Sequence, residues 1–407
     1  MEAVEVKNGI YWVGAIDWAV RDFHGYETPR GTSYNNYLIL DEQPTLVDTV
    51  KCDFADVSLK NIKNLTDLSQ IKHVVINHIE NDHASAFDLF MDLMPQATVY
   101  MTERARKGLE RFFDLSKRTI KTVKSGETLS IGKKTLLFLE TPMLHWPDSM
   151  VTYIKEDKVL LSQDAFGQHI ASSARFDDEF VACQSLAELE DAVLDYYANI
   201  LMPFGSLVKG KIAEIQKAGL EIDVIAPDHG IIWRTNPGMI LTRYLEMAEG
   251  KAVESVSIVY DTMWHSTERM AQPIAKGITD EGLECRIMKL RATPMSVAVK
   301  EFWRSRGTLV GSPTMNNILF PTVAQFLAYL RGLRPKNRIV GAFGSFGWSG
   351  GAVKEIQEEF KRIGLETLEN GLQVQFRPSE EDEEKCYEFG RAFARQVRSY
   401  HASLERS

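Results

Sequence analysis

Cysteine is scarce in this chain. Four residues of 407, Cys52, Cys183, Cys285 and Cys386, lie far apart with no C-x-x-C pair, which excludes a disulfide framework and a cysteine-held zinc or iron–sulfur site. Proline (14) and glycine (27) are too few for a fibrous or low-complexity chain, and 44% hydrophobic with 25% charged residues is a globular composition. Positive charge is in deficit, with a formal net charge of −9, whereas a general nucleic-acid or anionic-membrane binder needs a dominant basic surface. Long apolar runs are missing too. Nothing approaches the roughly 18 consecutive apolar residues of a spanning helix, and the opening MEAVEVKNGIYWVG has neither a basic n-region nor a signal-type apolar run. These absences predict a soluble, cytoplasmic protein that partners neither nucleic acid nor membrane and acts on small molecules. Length predicts two or three domains at roughly 100–200 residues each.

From residue 10 to about 230 the text is rich in strand signals (YNNYLIL, PTLVDTV, HVVINH, TVYMTE, TLLFLET, MVTYI, KVLLSQDA) separated by short polar turns. Helical text is sparser there, as in ASAFDLFMDLM and SLVKGKIAEIQKAG. After residue 252 strand and helix alternate regularly: VSIVY, ERMAQPIAKGITDEG, CRIMKL, GTLVGSP, AQFLAYLRG, RIVGAFGS, AVKEIQEEFKRIG. Such alternation implies a parallel, doubly wound sheet. A helix and polar connector, PGMILTRYLEMAEGKAVES, place the boundary near 250, giving domains 1–250 and 251–407. Pro273 inside the first helix of the second half breaks the local rule without an evident reason.

The densest chemistry is His78-Ile79-Glu80-Asn81-Asp82-His83, after the apolar HVVIN. In extended backbone, residues two apart share a side, so His78 and Glu80 can grip one ion while Asp82 and His83, past the bend, reach another. His145 in LETPMLHWPDS, Asp164 in VLLSQDAFGQH and His229 in VIAPDHG each follow an apolar run where the chain enters a loop, the usual place for a scaffold to present ligands. Each alone reads as a turn histidine or a helix-capping aspartate. Together they offer four imidazoles and three carboxylates with no thiolate, enough for two ions and suited to iron or manganese, with zinc an alternative.

In the second half, VSIVY runs into Asp261 and then Thr262, Met263, Trp264, His265, Ser266 and Thr267 before a helix. Hydroxyls and backbone N–H groups at a helix N-terminus suit an anion. No G-x-x-x-x-G-K-[ST] pattern and no lysine are present, so a monophosphate fits better than a triphosphate. An ordinary capped helix start is the competing reading. Two later strands end at Ser312 followed by Pro313, Thr314, Met315, Asn316 and Asn317, and at Ser345, Phe346, Gly347, Trp348 and Ser349. In a doubly wound sheet, three such loops converge beyond the strand carboxyl ends. Trp264 or Trp348 can stack on a flat ring, and the ligand this suggests is FMN.

His-x-Glu-x-Asp-His followed by His, Asp and His resembles the metallo-β-lactamase fold as it occurs in flavodiiron proteins, also called A-type flavoproteins. HWPDSM, DAFGQH and APDHG are similar to the family's flanking text, and the second half resembles the flavodoxin domain fused to it. The resemblance implies an N-terminal metallo-β-lactamase-like αββα sandwich and a C-terminal flavodoxin-like sheet. It also implies FMN and a diiron centre in which His78, Glu80 and His145 bind one iron, Asp82, His83 and His229 the other, and Asp164 bridges. Glu80 stands where zinc hydrolases of this fold carry histidine, and Phe346 where a tyrosine is common. Tyr196, His24 and His169 are implied as proton donors or pocket walls.

The activity implied is reduction of dioxygen to water, or of nitric oxide to nitrous oxide, with electrons relayed through FMN in a head-to-tail homodimer or dimer of dimers. No cysteine-paired rubredoxin segment follows the flavodoxin-like half, so the expected donor is a separate molecule, a rubredoxin first and reduced deazaflavin second. Basic text in YLRGLRPKNR (Arg331, Arg334, Lys336, Arg338) can steer an acidic carrier, although a solvated helix end explains it more simply. The acidic run from Glu380 to Glu384 reads as a solvated helix start. The rival readings are a zinc-dependent hydrolase with a flavodoxin-like appendage and an electron carrier with structural metals.

Overall fold

The computed structural model describes residues 2–23, 25–368 and 370–406, so His24 lies outside the described residues. The chain forms two compact units: Met1–Tyr196 with Phe204–Ala248, and Tyr197–Pro203 with Glu249–Ser407.

The first unit is built on two sheets. A seven-stranded sheet runs, in spatial order, through Val4–Lys7, Ile10–Trp12, Tyr37–Ile39, Thr45–Val47, His73–Val75, Thr98–Met101 and Thr119–Thr122. A five-stranded sheet follows Thr128–Ser130, Thr135–Glu140, Met150–Ile154, Val159–Gln163 and Val224–Pro227. Alternation along each strand decides which residues meet. Tyr37, Ile39, Val47, Val75 and Tyr100 join Phe138, Ile154, Leu161 and Ala226 in one apolar cluster. Their neighbours Leu38, Leu46, Val74 and Val99 join a second cluster with Leu59, Phe87, Phe90 and Leu109 of the helices Ala55–Lys63, Phe87–Leu93 and Glu103–Leu109. One strand thus serves sheet–sheet and sheet–helix packing on opposite faces. The strands are so thoroughly apolar because both faces are buried.

The second unit is a parallel sheet in the order Glu284–Lys289, Val253–Tyr260, Ser305–Met315, Ile339–Phe346 and Glu366–Thr367, with Leu372–Gln375 also pairing with Ile339–Phe346. This is the doubly wound 2-1-3-4-5 arrangement, whose switch point lies beside the first strand. Helices Ser266–Asp280 and Glu380–Glu405 cross closely, because a Cβ at Gly277 would stand 2.1 Å from the Tyr387 carbonyl oxygen. Pro273 lies inside the first of these helices, and nothing in the structure explains it. The acidic run does start a helix: Ser379 and Asp382 cap it reciprocally.

The segment Tyr197–Pro203 is held by the second unit. Tyr329 donates its hydroxyl to Asn199 Oδ1 at 3.0 Å, Asn199 Nδ2 donates to the Ser296 carbonyl at 3.3 Å, and Tyr197 stacks on Trp303 with ring centroids 6.4 Å apart. No helix among the described residues is long and apolar enough to cross a membrane.

Candidate metal centre and flavin site

Every metal-ligand candidate of the first unit sits past the end of a strand. His78 and Glu80 follow His73–Val75, and Asp82 and His83 lie in the short helix Asn81–Ala84 that Glu80 precedes as N-cap. His145 is in the loop between Thr135–Glu140 and Met150–Ile154, Asp164 follows Val159–Gln163, and His229 follows Val224–Pro227. Gly230 makes the turn after His229 with φ +77, and a Cβ there would lie 2.4 Å from the Gln168 side-chain oxygen.

These loops bring seven donors into two adjoining sets. Ligand atoms of His78, Glu80, His145 and Asp164 lie within 4.8 Å of one another, and so do those of Asp82, His83 and His229. Asp164 faces both. Its Oδ2 lies 3.0 Å from His145 Nε2 and 3.6 Å from His78 Nε2, while its Oδ1 lies 3.0 Å from His83 Nε2 and 3.6 Å from His229 Nε2. Glu80 Oε2 approaches His78 Nε2 to 3.3 Å and His145 Nε2 to 3.1 Å. His229 Nε2 comes within 2.9 Å of Asp82 Oδ2, yet both buried Asp82 oxygens lack a hydrogen-bond partner of acceptable geometry. Orphaned carboxylate oxygens among convergent imidazole nitrogens fit a cation, and four nitrogens with three carboxylates fit a pair of irons.

The far side of each ring fixes its aim. His78 Nδ1 lies 3.2 Å from Asp148 Oδ2, which also accepts the Ile79 N–H at 3.0 Å. His229 Nδ1 donates to the Ser33 carbonyl at 2.7 Å, and His83 Nδ1 faces Asp228 Oδ2 at 3.8 Å. Such outer partners set the tautomer and leave Nε2 for the metal. Asp148 stands within HWPDSM, but spacing gives no sign of which carboxylate backs which imidazole.

Electrostatics make the same case. Burial opposes the charged form of His83, but Asp82 and Asp164 outweigh it and push its pKa up to about 10. Burial also works against charge on His145, where hydrogen bonds to Asp164 and Glu80 prevail and raise it to about 9. His78 is raised well above its usual value against its burial, chiefly by hydrogen bonds to Asp148 and Glu80. Burial alone would raise Asp164, yet the neighbouring His83 charge and its histidine hydrogen bonds hold it well below the carboxylate range. A carboxylate cluster that draws protons onto its histidines is one that a metal cation would neutralise.

Two of the other expected residues stand beside the second set. His169 places its ring centroid 4.7 Å from that of His229 and 5.0 Å from that of Tyr196, and its Nδ1 is 2.8 Å from Thr32 Oγ1. Burial pushes the Tyr196 phenol well above its usual pKa, so it keeps its proton. Phe23 packs 4.6 Å from His169 and 5.6 Å from His229, a wall that nothing in DFHGYE announces.

In the second unit the three loops enclose a cavity of about 770 Å³, a size suited to a cofactor. Thr262, Met263, Trp264, His265 and Ser266 line it from the first loop, Pro313, Thr314, Met315, Asn316 and Asn317 from the second, and Ser345, Phe346, Gly347, Trp348 and Ser349 from the third. Thr267 does not line it; its Oγ1 is buried and sits 2.9 Å from Ser345 Oγ, tying two loops together. The competing reading of an ordinary capped helix start does not hold: the helix N-cap is His265, left-handed at φ +67 and without a side-chain cap, so first-turn N–H groups stay open to an anion. Thr262 Oγ1 is buried without a partner. Trp264 and Trp348 are 87% and 88% exposed, so neither is spent on the core. Arg269, Phe376 and Arg377 also line the cavity. The last two escape sequence reading because LQVQ before them does not stand out as a strand.

The basic text is not a continuous patch. Arg338 is fully buried over Trp303, donating to the carbonyls of Gly250 and Trp303, and Arg331 pairs with Glu359 at 2.9 Å. A steering role for the four together is therefore lost.

Comparison with known proteins agrees with this architecture. The ODP family beta lactamase profile matches residues 32–230 and the flavodoxin profile residues 258–390. The chain is 46% identical to a nitric oxide reductase of Moorella thermoacetica, across 97% of this chain and 99% of that one. The rubredoxin oxygen:oxidoreductase of Desulfovibrio gigas superposes with a TM-score of 0.94 at 40% identity, covering 98% of this chain and 99% of that one. The flavodiiron protein of Giardia intestinalis gives 0.95 at 35% identity, covering 99% and 98%. With a β-lactamase-like unit carrying two sets of metal donors, a flavodoxin unit carrying an FMN-sized cavity, and full-length relatives of this kind, the chain belongs to the flavodiiron proteins.

Proposed function

We propose that this chain reduces dioxygen to water, nitric oxide to nitrous oxide, or both, with His78, Glu80, His145, Asp82, His83 and His229 holding two irons and Asp164 bridging them. The observation that carries the reading is the division of the Asp164 carboxylate, one oxygen toward each donor set. Bound iron supplies Lewis acidity and electron storage at the gas, and bound FMN passes electrons singly. Asp148 and the Ser33 carbonyl orient His78 and His229. We assign delivery of the protons consumed by either reduction to Tyr196, kept protonated by burial, and to His169 beside it; their closeness to each other and to His229 supports this. A hydrolase is less supported, because hydrolysis gives a flavin no task.

We place the domain boundary near residue 250, with FMN held by the second half through the loops Thr262–Ser266, Pro313–Asn317 and Ser345–Ser349. We infer a head-to-tail homodimer or dimer of dimers, on family resemblance. We infer a separate electron donor: a rubredoxin is favoured by the name of the Desulfovibrio gigas relative, and reduced deazaflavin is the second candidate, on family resemblance. Four unpaired cysteines, two of them exposed, suit the cytoplasm.

The test is anaerobic reduction of iron- and FMN-loaded protein, followed by separate titration with each gas. Consumption of either gas with water or nitrous oxide as product is expected. Zinc content with ester or thioester cleavage, or flavin reduction without gas consumption, would overturn the reading.

A further inference from the structure

We infer that Arg377 and Arg269 recognise the phosphate of the flavin and make the second unit selective for FMN over riboflavin. This rests on the flavin reading above. The 18 residues lining the cavity include two arginines and His265 but no carboxylate, in a chain whose formal charge is −9. A cavity that excludes acids against that background is built for an anion.

Both arginines line this cavity, and an ion pair between Arg269 and Glu383 links the helix end that carries Arg269 to the helix that follows Arg377. Arg269 is in the first turn of the helix Ser266–Asp280, whose uncapped N-terminus and buried, unpartnered Thr262 hydroxyl already offer donors to an anion. One of its terminal nitrogens is spent on Glu383 at 2.7 Å, but its Nε is buried without a partner. That ion pair also brings the start of the helix Glu380–Glu405 beside Arg269, and Arg377 lies just before this helix's N-cap, Ser379. The Phe376 N–H bonds the Phe346 carbonyl at 2.7 Å, which fastens this turn to the third flavin loop. Arg377 itself is exposed and makes no ion pair among the described residues. A guanidinium suits a phosphate because its planar fork of donors matches the oxygens.

Wild-type, Arg377→Gln and Arg377→Lys apoproteins should be titrated with FMN and with riboflavin at low and moderate salt, following flavin fluorescence. Arg377→Gln should raise the FMN Kd about tenfold or more, flatten its salt dependence and leave riboflavin within about twofold. Arg377→Lys should recover most of the loss. Adding Arg269→Gln should weaken FMN further and again spare riboflavin. An unchanged FMN Kd in Arg377→Gln, or equal weakening of both flavins, would overturn the inference. Wild-type protein that binds neither flavin would instead overturn the flavin reading itself.

Discussion

Asp164 Oδ1 meets His83 Nε2 at 3.0 Å while the other oxygen of the same carboxylate, Oδ2, meets His145 Nε2 at the same distance. A buried carboxylate serving a single histidine would have no reason to divide itself. Asp164→Asn, which keeps the shape and removes the charge, should lower iron from two per chain to one or none after equal loading. Quantitative metal analysis checks it, and a variant that still retains two irons would count against the bridge.

Asp148 acts one step further out. It accepts from His78 Nδ1 and so directs Nε2 toward Glu80 and Asp164. Asp148→Asn should weaken iron retention about 10- to 100-fold in competition with a chelator, the range seen when outer-shell partners of metal-bound histidines are changed. The loss should fall on the set containing His78. Unaltered retention would show that the contact only supports the fold.

The raised histidines give a pH signature. In the metal-free protein the folded pKa of His145 is about 9 and that of His83 about 10, against 6.5 for an ordinary histidine. A pKa raised on folding contributes stability that is fully present below the unfolded value of about 6.5 and is lost as pH rises through the folded value. Apoprotein should therefore lose thermal stability progressively from about pH 6.5 to about pH 10. Iron replaces those protons, so loaded protein should show a flatter profile and loading should release protons. Parallel Tm–pH curves for the two forms would contradict this.

Trp264 and Trp348 are the exposed aromatic groups at the flavin cavity. Replacing Trp348 with alanine should raise the Kd for FMN and for riboflavin alike, by up to about tenfold, since ring stacking does not sense the phosphate. This common loss separates stacking from the phosphate-selective loss expected for Arg377. Loss confined to FMN would contradict it.

On the proposed head-to-tail dimer, in which electrons would pass from the flavin of one subunit to the irons of the other, turnover should depend on association. A dilute, verified monomer is expected to bind FMN and iron yet to consume gas slowly, with activity rising with protein concentration. Stopped-flow assays across a dilution series, paired with sedimentation, check this; full activity in the monomer would exclude an intersubunit path.

The juxtaposition of the seven donors was legible because each stands where an apolar run stops, and strand ends in this fold converge. The partition of Asp164 between two histidine pairs was not, since it depends on side-chain rotation. The three flavin loops could be read for the same reason as the donors. Thr267 ties two loops together without lining the cavity, a distinction the sequence hides because hydroxyls of both kinds look alike there. Arg338 looked exposed in RPKNR, yet its burial is decided by Trp303 and the Gly250 carbonyl, both distant in the chain. Tyr197–Pro203 gave no sign of joining the second unit, since its anchors Ser296, Trp303 and Tyr329 lie about 100 residues or more downstream.

The central claim is that one carboxylate joins two metal sites. An anomalous difference map at the iron edge, from crystals of iron-loaded protein, tests it most directly. Two peaks are predicted about 3.5–4 Å apart, one held by His78, Glu80 and His145 and the other by Asp82, His83 and His229, each also bonded to a different oxygen of Asp164. A single peak, or two peaks with Asp164 bound to only one, would contradict the account.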